Sequence, residues 1–333
     1  MNPPPIVRPS SPNLHVTIGT LVLNNPILVA AGTFGYGVEF ATSVRLGHLG
    51  ALVTKTLTRQ PRRGHPPPRL IETPSGLLNA VGLANIGLEA FLQEKLPALR
   101  AYPVPVIVSV LGESVEEVSA MVKRLDGADG VAAIELNLSC PNLNTPHPAK
   151  PPPQAEAPAV SSHTAQPLMV AQDPQATFEV VRAACQTTRK PVIAKLSPEV
   201  ADLAPIAQAA ERAGSSAVSL VNTFMGMSID PQTRRSRLGA MTGGLSGPAI
   251  RPLAVYRVWY TAQIVKIPVI GMGGIVRASD ALEFFLAGAS AVAVGTASFA
   301  HPACALHVLK GLTRYLARHR IGSLEELRGA VNR

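Results

Sequence analysis

Short apolar runs of three to six residues recur along the chain at 27–30, 51–53, 106–110, 131–136, 192–195, 217–221, 269–271 and 291–294. None sustains a strict polar–apolar alternation, so each reads as a strand covered on both faces. Between most of them the apolar spacing switches to three and four, which predicts helices over 116–125, 174–186, 203–213, 250–264 and 278–286. Eight buried strands alternating with helices predict parallel pairing, because a parallel neighbour is reached only through a crossover. The expected fold class is α/β: a closed (β/α)8 TIM barrel spanning 1–333 as one domain, with an open doubly wound sheet as the competitor. Ahead of the first run, 15–18 and 21–23 flank Gly19-Thr20 and predict an N-terminal hairpin that plugs the barrel bottom.

The fourth run continues into Glu135-Leu136-Asn137-Leu138-Ser139-Cys140-Pro141-Asn142. Pro141 has no N–H to give a ladder, so the strand must have ended there and the chain must turn. A strand end aims side chains rigidly. This one carries the carboxamides of Asn137 and Asn142, the hydroxyl of Ser139 and the thiol of Cys140. Carboxamides suit a flat polar ligand, and a thiol exchanges protons near neutral pH. The plainer alternative is a strand followed by an Asx turn. Directly afterwards, 143–172 shows neither period and holds Pro151-Pro152-Pro153 among other prolines. It is expected to be a Pro/Ala-rich insertion at the pocket mouth, acting as an active-site loop or as a disordered segment.

Other strand ends carry polar groups too. Lys55 follows the second run, Lys195 closes the fifth, and Asn222-Thr223 follow the sixth. One lysine ending an apolar strand is ordinarily a snorkelling surface residue. Two at the same end of a barrel are better explained as cations serving an anionic cofactor. Asn79 sits in a turn-rich loop, where capping is its plain role. Gly273-Gly274 follow the seventh run and Gly295-Thr296 the eighth, the places where barrels hold phosphate, and Gly247 lies just upstream. No GxGxxG opens the first strand–helix unit, which argues against a Rossmann dinucleotide site.

Composition narrows the class. Of 333 residues 47% are hydrophobic and only 4% aromatic, as expected for an aliphatic parallel-sheet core. Three cysteines, Cys140, Cys185 and Cys304, are too few and scattered for a disulfide framework or zinc site, so no metal is expected and a reducing compartment is. The start lacks a signal-peptide pattern and no apolar run approaches the ~20 residues of a membrane span, so a cytoplasmic protein without membrane contact is expected. The net charge of +9 is spread in small clusters, with no basic face interleaved with aromatics, so no nucleic-acid partner is expected.

Taken with Ala30-Ala31-Gly32-Thr33-Phe34-Gly35-Tyr36-Gly37, Thr54-Lys55-Thr56, the Asn79 loop, Lys195-Leu196-Ser197-Pro198 and Gly243-Gly244-Leu245-Ser246-Gly247-Pro248, these motifs resemble dihydroorotate dehydrogenase. The likeness is to the soluble class 1 form, and within it to the NAD-linked type 1B catalytic subunit. It runs over roughly 14–327.

The resemblance implies an FMN barrel that oxidises dihydroorotate to orotate in pyrimidine synthesis. Cys140 would be the catalytic base, with Lys55, Asn79, Asn137, Asn142, Asn222 and Thr223 binding substrate. FMN would be held by Ala31, Gly32, Lys55, Thr56, Ser109, Asn137, Lys195 and Val221, and at its phosphate by Gly247, Gly273, Gly274, Gly295 and Thr296. The expected partners are a second copy of the chain in a homodimer and an electron-transfer subunit carrying FAD and a 2Fe–2S cluster.

Two departures stand out: the Pro/Ala-rich 143–172 replaces a short glycine-rich lid, and Ser109 occupies a place where the family commonly has Asn. Among rivals, a dihydropyrimidine dehydrogenase-like enzyme would place its cysteine elsewhere. A tRNA dihydrouridine synthase would need an RNA-binding domain for which the C-terminus is too short. A non-enzymatic scaffold would need none of these polar strand ends.

Overall fold

The computed structural model describes residues 12–138 and 170–332. Eight parallel strands close a barrel whose spatial order follows chain order: Ile27–Val29, Ala51–Val53, Val106–Val110, Val131–Asn137, Val192–Lys195, Ala217–Leu220, Val269–Met272 and Ala291–Val294. The eighth pairs back onto the first, Val292 opposite Ile27, so the barrel itself has no open edge. Strands one, two and eight are aliphatic and buried at every position, which suits elements enclosed by side chains inside and helices outside. The expected runs therefore form the barrel, and the fourth strand extends one residue further, through Asn137.

The helices form where the period predicts. Val115–Asp126 opens on Ser114, whose hydroxyl accepts from the Glu117 N–H at 3.2 Å; acidic Glu116 and Glu117 lie in its first turn and Lys123 and Arg124 in its last. Each charge opposes the helix-end partial charge beside it. Pro174–Thr187 begins on Asp173, which accepts from Gln175 N at 2.8 Å, with proline at the first helical position. Cys304–His319 is a further long helix, whose buried Cys304, Ala305, Val308, Leu312 and Leu316 form one stripe against the barrel. The basic residues between Arg314 and Arg320 lie on its exposed side, which masks the helical period in a reading by charge.

The N-terminal hairpin, Val16–Ile18 with Leu21–Leu23, buries Ile18 and Leu23 completely. Its turn seats on the starts of strands five and six. A Cβ on Gly19 (φ +59°) would lie 2.8 Å from Ser216 Oγ and 3.4 Å from Pro191 Cβ. The hairpin thus closes the N-terminal end of the barrel.

No periodic run predicts a second sheet, yet one forms beside the opposite end. Its four antiparallel strands run in the order Phe224–Gly226, Gly243–Ser246, Gly76–Asn79, Leu70–Thr73, drawn from the loops after barrel strands six and two. Most of the expected insertion lies outside the described residues, but its end at Val170–Gln172 is a 3-10 turn rather than irregular chain. Ala171 is fully buried there and its N–H donates to Leu138 O at 3.3 Å, while Gln172 Nε2 donates to Glu199 O at 2.8 Å. The chain therefore leaves the fourth strand and returns to the helix at Pro174 from the same spot.

Candidate active site at the C-terminal mouth of the barrel

The C-terminal strand ends and the small sheet enclose one cavity of about 690 Å³. That lies inside the ~300–1,000 Å³ range of cofactor and ligand pockets. Lys55, Thr56, Asn137 and Lys195 enter it from strand ends two, four and five. Val221, Asn222 and Thr223 enter after strand six, and Ala31 and Gly32 after strand one. From the small sheet comes Asn79, one amide hydrogen of which is committed to Gly244 O at 2.9 Å. Asn222 Oδ1 accepts from Thr223 N at 2.9 Å, which fixes the turn carrying both.

A buried polar relay braces the floor. Ser109 is fully buried, donates its N–H to Thr54 Oγ1 (3.1 Å), and places its hydroxyl 3.0 Å from Thr56 Oγ1. Thr56 Oγ1 in turn accepts from Asn137 Nδ2 at 3.1 Å. Thr56 and Asn137 line the cavity and Ser109 does not; it stands one layer behind and orients them. Lys195 is only 5% exposed, held in register between Asn137 and Ser219.

The glycine turns converge on the other wall. Gly273 (φ +128°), Gly274 (φ +73°) and Gly247 (φ +93°) all take backbone conformations that a side chain disfavours. A Cβ on Gly274 would sit 2.7 Å from Arg251 Cβ and 2.9 Å from Gly247 O, so these turns are pressed together. Gly295 and Thr296 complete the corner, where Thr296 Oγ1 donates to Ser246 Oγ at 2.8 Å. Behind it, buried Asp280 accepts from Val276 N and Arg277 N, both at 2.9 Å, and pairs with Arg251 Nη1 at 2.5 Å. One carboxylate thereby ties the loop after strand seven to the helix Arg251–Ala262.

Cys140 and Asn142 lie outside the described residues. Burial pushes the thiol of Cys185 up to about 11. Burial, then the nearby charge of Asp280, raises that of Cys304 as well. The sequence reading missed the Leu70–Thr73 hairpin arm and the outer wall formed by Val276, Phe299 and His301. The arm has a signal: Pro74-Ser75 is a two-residue turn between two short apolar stretches. The outer wall has none. Among the described residues no group of His, Cys, Asp and Glu is placed to hold a metal ion, and no helix is long and apolar enough to cross a membrane.

A (β/α)8 barrel whose C-terminal mouth gathers a glycine corner, two lysines and several carboxamides around one cavity belongs with the barrel enzymes, whose chemistry is done at that end. A family model for dihydroorotate dehydrogenase matches residues 13–316. The chain is 46% identical over 320 residues to the catalytic subunit of dihydroorotate dehydrogenase B (NAD(+)) of Geotalea uraniireducens, covering 96% of this chain and 98% of the relative. It is 49% identical over 318 residues to the protein of that name from Desulforudis audaxviator, covering 96% and 97%. The corresponding protein of Thermodesulfovibrio yellowstonii is 44% identical over 319 residues, covering 96% and 99%. The chain belongs to the dihydroorotate dehydrogenase family.

Proposed function

We propose that this chain is the FMN-containing catalytic subunit of a type 1B enzyme that oxidises (S)-dihydroorotate to orotate in pyrimidine biosynthesis. The observation that carries the reading is convergence: the lysines, the carboxamides and the glycine corner share one cavity at the end of the barrel where such enzymes work. The residues fit the cofactor. Turns of positive φ that a Cβ would fill bring backbone close enough to cradle a phosphate, and two lysines offer positive charge where a reduced flavin is anionic.

FMN, when bound, supplies N5 as the acceptor of the hydride from substrate C6. The protein does the rest. Cys140, as thiolate, takes the proton from C5. Asn79, Asn137, Asn142, Asn222 and Thr223 hydrogen-bond the flat ring and its carboxylate, which fixes C5 over the base and C6 toward the cofactor. Lys55 serves both ligands, and Lys195 neutralises charge that develops on the cofactor side. Ala31, Gly32, Thr56 and Val221 shape the cofactor wall, and Gly247, Gly273, Gly274, Gly295 and Thr296 hold its phosphate. Ser109 acts through Thr56, not by touching the cofactor.

The word "catalytic subunit" in the relatives' names supports an electron-transfer partner; we assign it FAD and a 2Fe–2S cluster, and assign the chain a cytoplasmic homodimer. Neither a Rossmann fingerprint nor a cluster of cysteines in this sequence provides for NAD or iron–sulfur binding. The purified chain should therefore carry yellow FMN and pass electrons from dihydroorotate to dye acceptors while leaving NAD unreduced. Efficient NAD reduction by the chain alone, or no flavin reduction by dihydroorotate, would overturn the assignment.

A further inference from the structure

Glu135 has no part in that scheme, yet it is a carboxylate inside the barrel and only 2% exposed. It precedes Asn137 by two residues on the fourth strand, so both side chains leave the same face of the strand. Its Oε2 accepts from Ser219 Oγ at 3.0 Å, reaching past the fifth strand to the sixth. Ser219 is in register with Lys195, and Lys195 with Asn137. The carboxylate therefore lies one layer beneath the buried lysine. Its other oxygen, Oε1, is shielded from solvent and has no hydrogen-bond partner among the described residues. Ser109, level with Glu135 on the third strand, directs its hydroxyl to Thr56 instead.

A buried carboxylate with a single neutral donor is costly unless a positive charge compensates it, and a buried ammonium has the same difficulty with the sign reversed. Opposite charges one side-chain layer apart still attract strongly where water is excluded. Each therefore lowers the cost of burying the other. A neutral glutamic acid would remove the charge but leave its own O–H in need of an acceptor.

We propose that Glu135 is the buried acidic partner of Lys195, a positioning residue that holds the lysine in the floor of the cavity and tempers the positive field it directs at the cofactor. The proposal rests on the reading of Lys195 as a cofactor contact, so its test separates the two.

The FMN-loaded wild type is compared with Glu135→Gln, Lys195→Met and the double variant by thermal melting and by spectroelectrochemical titration of the flavin. Glu135→Gln keeps the shape and the Ser219 bond while removing the charge. It should make the flavin potential more positive, by tightening reduced relative to oxidised FMN a few-fold up to about tenfold, because the reduced, anionic flavin then meets the lysine's full field. Lys195→Met should lower the melting temperature by stranding the carboxylate, and adding Glu135→Gln should restore much of that loss. Accumulation of folded double variant where Lys195→Met fails to accumulate counts as the same rescue.

If Glu135→Gln leaves the potential unchanged and gives no rescue, the glutamate is a neutral packing group and the proposal fails. If Lys195→Met leaves flavin affinity and potential unchanged, the cofactor role of Lys195 fails, while the rescue in melting temperature still decides the charge pairing.

Discussion

The thiols of Cys185 and Cys304 carry their protons at neutral pH because burial disfavours the thiolate. Burial pushes Cys185 up to about 11, so its thiol stays protonated at pH 7. Alkylation of the native protein at that pH, read by peptide mass spectrometry, should leave both unmodified, so any rapid labelling reports on Cys140. Cys140→Ala should keep FMN and orotate binding but slow flavin reduction by roughly 100- to 10,000-fold, the worth of a positioned base. Cys140→Ser should keep a trace that rises with pH, since a hydroxyl is a poorer base. Stopped-flow measurement of flavin reduction checks both, and near-normal kinetics in the alanine variant would move the base elsewhere. Residue types and strand-end positions were readable from sequence; depth was not. Ser109 shows why: one step from its strand's end at Val110, it falls a layer behind the wall because strand tilt and stagger set how far each side chain rises.

Elements were readable where one period dominates. The aliphatic runs became barrel strands because only a strand buried on both faces tolerates such composition, and the predicted helices lie on the expected stripes. The small sheet stayed hidden because its strands are three or four residues of loop, and its central pair joins partners 165 positions apart, as Asn79 with Gly244. No local pattern encodes such pairing. At this scale Gly274→Ala is the informative change. It forces φ +73° on a side chain and drives a methyl against Arg251 and Gly247, at a cost of about 1–3 kcal/mol. FMN affinity, by fluorescence titration, should fall several-fold while riboflavin affinity changes little, because the strained turn faces the phosphate. Equal losses for both flavins would place the phosphate elsewhere.

The whole molecule is polar along its barrel axis, with chemistry gathered at one end and the hairpin seated in the other. Asn13 helps fasten the plugged end, its N–H donating to Gly322 O at 2.8 Å and its carbonyl accepting from Leu324 N at 3.2 Å, so the two described termini clasp each other. Gly19→Val should press Ser216 and Pro191 apart and destabilise by about 1–3 kcal/mol, yet leave turnover per folded molecule unchanged. Differential scanning calorimetry beside steady-state kinetics tests this, and a loss of turnover equal to the loss of stability would refute it. Position along the axis then becomes a coordinate for evolution. Substitutions near the hairpin would be selected through how much protein a cell keeps, and those near Asn137 and Lys195 through how fast each molecule works. Adaptation to heat can rebuild one end of this barrel without renegotiating the chemistry of the other.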